Sequence, residues 1–216
     1  MAVPEAADNW PNIADRGIAQ HESPFDSSPR GRLLTAMPAV LAHGGFRDAT
    51  VARVLERAGV GWEDFAREFE DLDGCFLATL DAGLECAALA AERAMNTVAH
   101  TADAETIFEA GLRGALAAAS AHPELTRLCL VESPALGAKA VVQKQAGLQR
   151  FVRLMQERVR PAAGGAALPA LPAEMVAGGI YEVLQRKARA GELDDLPKLI
   201  PELRQLWGPV IRSATG

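Results

Sequence analysis

Six arginines and one tryptophan lie in a segment of mixed charge, residues 29–77, and these side chains could contact a nucleic-acid backbone. A guanidinium group binds phosphate oxygens, and an exposed Trp62 could touch a thymine methyl group or stack on a sugar. The cations are Arg30, Arg32, Arg47, Arg53, Arg57 and Arg67. Eight acidic residues in the same segment leave it with a net charge of −2. The residue types therefore suit phosphate contacts, whereas the charge balance opposes them.

No set of residues has the spacing of a catalytic or metal site. Cys75 and Cys86 are eleven residues apart and nearly on one helix face, so a metal or redox pair is one interpretation. Packing in a core is favoured, because no histidine or third cysteine has ligand spacing nearby. His43, His100 and His122 fall at predicted helix ends, where capping of carbonyl groups is favoured over a ligand role. Since Ser-His-Asp, Walker and Rossmann signatures are also missing, we expect no enzyme, no metal and no cofactor.

The elements that must position the cations are two short helices within residues 45–69. Four apolar residues repeat with the period of one helix face: Val51, Val54, Leu55 and Ala58. Gly59 follows, where a left-handed residue commonly ends a helix. Phe65 and Phe69, four residues apart, give the next helix a single buried face. The pattern predicts helices at residues 50–57 and 62–68, joined by a tight turn as in a helix-turn-helix.

The rest of the chain is typical of an all-α protein with about nine helices. Its 216 residues are 49 % hydrophobic, mostly Ala and Leu, and no run alternates with the period of a strand. Residues 1–28 predict a mobile arm, residues 29–75 the helix-turn-helix domain and residues 76–216 a larger helical domain. We expect Pro38 to kink the first helix or delay its start. A connector is predicted at residues 161–172, and the last four helices at residues 123–131, 134–159, 173–190 and 196–213.

Composition also limits the compartment and the partners. The net charge of −6 argues against a protein coated by nucleic acid, although a local patch could still bind. An odd number of cysteines and an opening without a basic and apolar leader favour a reducing cytoplasm. No run reaches the roughly 18 uninterrupted apolar residues of a membrane span, so no membrane partner is expected.

The last two predicted helices have apolar faces that are broad for surface helices, which suits a bundle shared between two subunits. Gly178 and Gly179 would permit close approach of such helices. The predicted interface residues are Ile180, Val183, Leu184, Leu203, Trp207 and Val210. The alternative is that these helices only close the core of their own chain.

These features together resemble the TetR (AcrR-like) family of one-component transcriptional regulators, over about residue 30 to the carboxy terminus. The residues that match the family's scaffold positions are Gly45, Phe46, Thr50, Val51, Ala58, Gly59, Val60, Phe65, Phe69, Asp71 and Asp73. The order of elements also agrees, since a three-helix domain leads through a long helix into a larger helical domain. The resemblance implies a homodimer that binds palindromic double-stranded operator DNA.

Departures from the family pattern fall on the contact positions. Gly61 replaces a capping Ser or Thr, and Glu63 and Asp64 replace small residues at the start of the reading helix. Ala66 stands where a phosphate-contacting Tyr is expected, and Leu72 where a Lys is common. Glu68 also replaces a frequent His. The predicted DNA-binding set is Arg47, Thr50, Arg53, Gly61, Trp62, Glu63, Asp64, Ala66 and Arg67.

The resemblance further implies an effector pocket between the helices of the larger domain, for a small and mainly apolar compound. Its candidate lining residues are Met95, Phe108, Leu112, Cys129, Met155 and Tyr181, which could equally form a plain core. The implied function is an effector-responsive repressor. The alternative is a TetR-like ligand-binding or protein-interaction module that has lost strong operator binding.

Overall fold

The computed structural model describes residues 24–99, 102–159 and 170–215. Most of the predicted arm, His100 and most of the predicted connector lie outside these ranges. All regular structure within them is helical, which confirms the all-α fold.

Nine α-helices are present in the described ranges, as many as the periodicity predicts. They are α1 (Pro29–Leu41), α2 (Val51–Ala58), α3 (Trp62–Glu68), α4 (Leu72–Asn96), α5 (Ala104–Ala121), α6 (Pro123–Arg127), α7 (Ala138–Val159), α8 (Ala170–Ala190) and α9 (Ile200–Thr215). Short 3-10 turns occur at Phe46–Asp48, Ser133–Leu136 and Leu196–Leu199, and a π-helical segment at Leu128–Glu132.

The chain divides into two compact units, and the boundary lies inside α4 between Ala82 and Gly83. The first unit contains α1, α2, α3 and the beginning of α4. Its largest fully buried side chains include Leu33, Met37, Val54, Phe65 and Phe76. Burial of a side chain of this size contributes about 1.5–3 kcal/mol to folding, so these residues fix the three helices against one another.

Pro38 neither delays α1 nor ends it. The helix begins at Pro29, where the missing amide hydrogen costs nothing, and Ser28 caps it by accepting a hydrogen bond from the Gly31 amide (3.0 Å). Pro38 lies within the last turns, and the Ala42 amide still donates to its carbonyl oxygen at 3.0 Å. The predicted late start is therefore wrong.

The second unit packs α5 against α7 and α9, and α8 against α7 and α9. One hydrophobic cluster draws residues from α4, α5, α7, α8 and α9. Arg204 and Arg212 of α9 both bind Glu105 of α5, which ties the two helices together at their exposed edge.

The structure differs from the predicted helices most between α6 and α7. The α-helix predicted over residues 123–131 ends at Arg127, and the backbone continues as the π-helical segment and a 3-10 turn. Helix α7 begins at Ala138 rather than at Pro134, because Gly137 adopts a positive φ of 57° that interrupts the helix. Helix α9 likewise begins at Ile200, after a 3-10 turn that starts at Leu196.

Among the described helices, α4 is long and apolar enough to cross a membrane by length and composition. Of its most apolar stretch, 44 % is buried inside the protein. A core helix of a globular domain has the same properties, so α4 is weak evidence for a membrane span.

Candidate functional site

The turn between α2 and α3 is fixed by both of its ends. Thr50 caps α2 by accepting a hydrogen bond from the Arg53 amide at 3.3 Å. Gly59 ends α2 in the left-handed region (φ 63°, ψ 39°), and its amide donates to the Leu55 carbonyl oxygen at 2.8 Å. The Arg32 guanidinium donates to the Gly59 carbonyl oxygen at 2.8 Å, which holds the turn to α1. These contacts form the helix-turn-helix that the spacing predicts.

Helix α3 has one buried face and one exposed face. Phe65 and Phe69 are 0 % and 7 % exposed, as their four-residue spacing predicts. Trp62 is 60 % exposed, and its ring stacks on Phe65 with centroids 5.8 Å apart. The indole is therefore held by its own helix while most of its surface faces solvent.

The arginines of α2 and α3 that the sequence nominates for DNA contact already have partners inside the first unit. Arg67 lies 2.9 Å from an Asp64 carboxylate oxygen and 3.7 Å from one of Glu63. Arg53 donates to the Asp48 carbonyl oxygen at 2.9 Å. A phosphate that binds either guanidinium must compete with these contacts, so two of the predicted DNA contacts are partly committed.

Arg30 is also committed, because it pairs with Glu68 at 3.2 Å and lies 4.9 Å from the Phe69 ring centroid. The unusual Glu68 therefore has a structural partner. Arg47 and Arg57 are exposed, and neither forms a hydrogen bond or ion pair with another residue that the structure describes. Arg57 was not among the predicted contacts. Its place in the last turn of α2, directly before the predicted tight turn, was the signal that could have indicated it.

The small residues of the predicted DNA-binding set leave the surface of α3 open. Gly61 precedes α3 without a side-chain cap, and a Cβ placed on it would meet no atom within 4 Å. Ala66 is exposed on α3, and Thr50 is exposed but uses its hydroxyl for the α2 cap.

At the start of α4, Asp71 accepts a hydrogen bond from the Gly74 amide at 2.7 Å while Leu72 is half-buried. The acid therefore caps α4, and Leu72 supplies no charge there.

The cysteines have the environment of core residues. Burial raises the pKa of Cys75, Cys86 and Cys129 to about 12, so all three are protonated thiols near neutral pH. Within the described ranges, no cluster of three metal-binding side chains occurs. His43 Nδ1 lies 2.9 Å from the Ala39 carbonyl oxygen, as expected for a histidine at a helix end. Burial lowers the pKa of His122, which favours the neutral form of that ring.

The predicted effector residues come together in the second unit. Met95, Phe108, Leu112 and Met155 are buried in its hydrophobic cluster, and Tyr181 packs against that cluster. Cys129 is also buried, on the π-helical segment. At Gly111 of α5, an added Cβ would overlap the end of Met95 and lie 2.9 Å from the Met155 Cε atom. Two flexible methionines therefore meet over this glycine, although the set remains a prediction as a pocket.

Polar groups inside this unit gather near the π-helical segment. Gln185 Nε2 donates to the Leu130 carbonyl oxygen at 2.9 Å, and Ser133 Oγ donates to the Cys129 carbonyl oxygen at 3.0 Å. These bonds satisfy carbonyl groups of the irregular segment. The sequence did not indicate that Gln185 and Ser133 bind these carbonyl groups. Whether a carbonyl oxygen accepts from a side chain depends on the local backbone geometry, which the sequence does not show.

Two of the six predicted interface residues are core residues of their own chain. Ile180 and Leu203 are 5 % and 6 % exposed and belong to the hydrophobic cluster, so they offer little surface to a partner. Leu184, Trp207 and Val210 are partly buried against the same cluster, and Val183 is half-buried.

The exposed apolar residues of α8 and α9 include Met175 and Leu206, whose exposed fractions are 58 % and 66 %. A Cβ on Gly179 would lie 3.1 Å from the Trp207 ring, so Gly179 serves the packing of α8 on α9 within one chain.

Neither a protein-family model nor a curated protein matches the sequence. Several solved structures have a similar fold. One is the fatty acid degradation regulator FadR from Bacillus halodurans, which is 18 % identical in sequence. The match has a TM-score of 0.71 and covers 82 % of this chain and 92 % of that protein. FadR from Bacillus subtilis, in complex with stearoyl-CoA, is 13 % identical with a TM-score of 0.69 over 83 % and 96 %. The TetR family repressor AlkX from Dietzia sp. Strain DQ12-45-1b is 17 % identical with a TM-score of 0.56 over 85 % and 97 %. The chain has the TetR-type fold. At these identities the likeness establishes the fold alone.

Proposed function

We propose that this chain is a cytoplasmic, homodimeric transcriptional repressor that binds operator DNA through its helix-turn-helix and responds to a mainly apolar effector. One observation carries the proposal: a complete helix-turn-helix presents an exposed reading face on α3 in a chain whose second unit has its own hydrophobic core. Two such heads in a dimer would read successive major grooves about one helical turn apart.

The reading face supports weak phosphate binding. Arg47 and Arg57 are the uncommitted arginines among the described residues of the first unit, which gives four cations for two heads. Each phosphate contact steepens the dependence of log K on log salt by about 0.9. We therefore expect a slope of about −4, compared with the 6–10 contacts of strong DNA-binding proteins. Operator binding should therefore be weaker than in those proteins and should fall less steeply with salt.

Recognition of bases would depend on Trp62 and on the small residues beside it. The exposed indole can contact a thymine methyl group, and Ala66 and Gly61 allow α3 to approach the groove closely. Glu63 can accept a hydrogen bond from a cytosine amino group. The acids thus oppose phosphate binding in general but can contribute to sequence preference.

The effector would act through a difference in its affinity for two arrangements of the dimer. A ligand shifts such an equilibrium only by as much as its binding free energies to the two states differ. FadR from Bacillus subtilis was solved with stearoyl-CoA, and the hydrophobic cluster of the second unit here contains two flexible methionines, Met95 and Met155. We therefore propose a compound with a long apolar part.

The proposal is tested by a gel-shift experiment with the purified chain and the DNA upstream of its own gene, followed by footprinting. Specific binding should protect two half-sites about one helical turn apart. Sedimentation of the same sample should give the mass of a dimer bound to the duplex. A protein that stays monomeric, or that fails to shift this DNA at about 50 mM salt, would contradict the proposal.

A second function is favoured by the pairing of Arg67 with Glu63 and Asp64. If these ion pairs remain when DNA is present, α3 has no arginine available to bind a phosphate. The chain would then be a ligand-binding or protein-interaction module with a TetR-type fold. The salt-titrated binding curve separates the two functions, because the module shows no binding even at low salt.

A further inference from the structure

The hydroxyl group of Tyr181 is an unexplained polar atom in the second unit. It is fully buried and has no hydrogen-bond partner among the described residues. Burial raises the pKa of the phenol to about 12, so the group is a neutral donor near pH 7. Native proteins pair the large majority of buried polar atoms, and each exception requires a reason.

Neither of the nearby polar side chains, Gln185 and Cys129, forms a hydrogen bond with this hydroxyl. Gln185, one turn further along α8, already donates its amide hydrogen to the Leu130 carbonyl oxygen. Cys129, which contributes to the raised pKa of Tyr181, is a buried thiol whose own pKa is about 12. The hydroxyl therefore keeps its hydrogen-bonding capacity.

A cation lies at the same ring. The Lys144 Nζ atom of α7 is 4.6 Å from the centroid of the Tyr181 ring. Lys144 is half-buried and forms no ion pair with any other residue in the described ranges. A hydroxyl without a partner and an ammonium group without an ion pair therefore belong to the same site, the Tyr181 ring that packs against the apolar core.

Two flexible side chains meet in that core. The ends of Met95 and Met155 meet over Gly111, where α5 has no side chain. Methionine has three rotatable bonds and repacks more easily than branched side chains. The apolar chain of a ligand could enter the core beside Gly111 if the two methionines changed rotamer. The polar end of that ligand would then lie at Tyr181.

We propose that the Tyr181 hydroxyl is the hydrogen-bond anchor for the oxygen head group of an amphiphilic effector, and that Lys144 favours a carboxylate at that position. The apolar body of the effector packs among Met95, Phe108 and Met155. This inference rests on the effector part of the proposed function and adds the residues that select its head group.

The test compares Tyr181→Phe and Lys144→Gln with the unchanged chain by isothermal titration with hexadecanoate and hexadecanol below their aggregation concentrations. Tyr181→Phe should weaken the binding of both probes, and of hexadecanoate about tenfold, because a hydrogen bond to a charged oxygen is lost. Lys144→Gln should weaken the binding of hexadecanoate and leave that of hexadecanol unchanged.

Thermal unfolding without a probe gives a second readout. Removal of a buried hydroxyl that has no partner should leave the melting temperature of Tyr181→Phe unchanged or raised. The matched control is Thr126→Val, which removes a buried hydroxyl that donates to the Ala119 carbonyl oxygen at 2.7 Å. That variant should melt lower and bind both probes with unchanged affinity.

Three results would overturn the inference: no binding of hexadecanoate by the unchanged chain, an affinity of Tyr181→Phe for both probes that equals that of the unchanged chain, or a loss of stability in Tyr181→Phe as large as in Thr126→Val. Operator binding is measured separately and without a probe. Its failure would contradict the proposed regulator while leaving the titration result intact, so the two failures are distinguishable.

Discussion

Replacing Glu63 and Asp64 by Gln and Asn should strengthen DNA binding, because these acids both repel phosphates and hold Arg67. Asp64 is 2.9 Å and Glu63 3.7 Å from Arg67. The side chain of Glu63 is 89 % exposed and that of Asp64 33 %, so a phosphate at the start of α3 would face both carboxylates. The double variant Glu63→Gln, Asp64→Asn keeps their shapes and removes their charges.

The size of the effect follows from the charge arrangement. A carboxylate about 6 Å from a phosphate in water is repelled by about 0.7 kcal/mol. Four carboxylates in a dimer give about 3 kcal/mol, which salt at about 0.1 M reduces roughly by half. We expect about tenfold tighter binding at that salt concentration. Release of one Arg67 per head adds about two phosphate contacts, so the salt slope should steepen by about 2.

The variant should remain folded. Exposed ion pairs contribute about 0–1 kcal/mol each, and an acid in the first turn of a helix about 0.3–1 kcal/mol. We therefore expect a loss of about 1 kcal/mol in the free energy of unfolding, measured by urea denaturation.

Fluorescence anisotropy with a labelled operator duplex, repeated over a range of salt concentrations, measures both quantities. The matched control is Glu124→Gln, Glu157→Gln, which makes the same change in net charge at exposed positions of the second unit. If the control gains as much affinity as the head variant, or if the head variant gains none and its slope is unchanged, then Glu63 and Asp64 do not face phosphates in the complex.

Three further predictions concern the local structure. Gly61→Ser should have a free energy of unfolding about 0.5–1 kcal/mol higher than Gly61→Ala in urea denaturation, and it should bind DNA more tightly than Gly61→Ala. The reason is that the position is sterically open and the serine hydroxyl can cap α3. Gly59→Ala should lower the free energy of unfolding by about 1–2 kcal/mol, since its φ of 63° is strained for alanine; equal stability of Gly59→Ala and Gly61→Ala would contradict the assigned turn. The Asp103 carboxylate accepts a hydrogen bond from the Thr106 amide at 2.7 Å, and this bond holds its pKa below the ordinary 3.8. Its stabilisation is fully present above the ordinary value and is lost as the pH falls through the lowered pKa, so Asp103→Asn should flatten the loss of stability in acid unfolding below about pH 4, and an unchanged pH profile would argue against the cap.

The sequence predicted the parts of the fold that depend on local spacing. The stripe of Val54 and Ala58, the left-handed Gly59 and the pair Phe65 and Phe69 determine the helix-turn-helix through contacts within a few residues. Such patterns are visible in one chain because burial repeats with the helix period.

Long-range side-chain pairing could not be predicted in the same way. Arg30 pairs with Glu68, 38 residues away, and Arg32 binds the Gly59 carbonyl oxygen across 27 residues. The sequence shows that these arginines exist but not which of them have partners in the fold. For the same reason Arg57, whose charge is uncommitted within the described residues, was missed.

In the second unit, the sequence alone does not show whether an apolar residue belongs to the core, to a pocket or to a dimer interface. Core, pocket and dimer interface share one apolar pattern, so Ile180 and Leu203 could not be assigned to the core before the helices were packed. The π-helical segment and the 3-10 turn before Gly137 could not be predicted, because residues 128–136 show no clear hydrophobic period. The unpaired Tyr181 hydroxyl depends on the absence of a nearby acceptor among the described residues, which only the folded structure reveals.

The most direct test of the central claim is a salt titration of the unchanged chain with the duplex upstream of its own gene and with a scrambled duplex of equal composition. We predict tighter binding to the upstream duplex and a slope of log K against log salt of about −4 between about 50 and 200 mM. Equal binding to both duplexes, or no binding to either at about 50 mM salt, would contradict the claim that α3 is a DNA-reading helix.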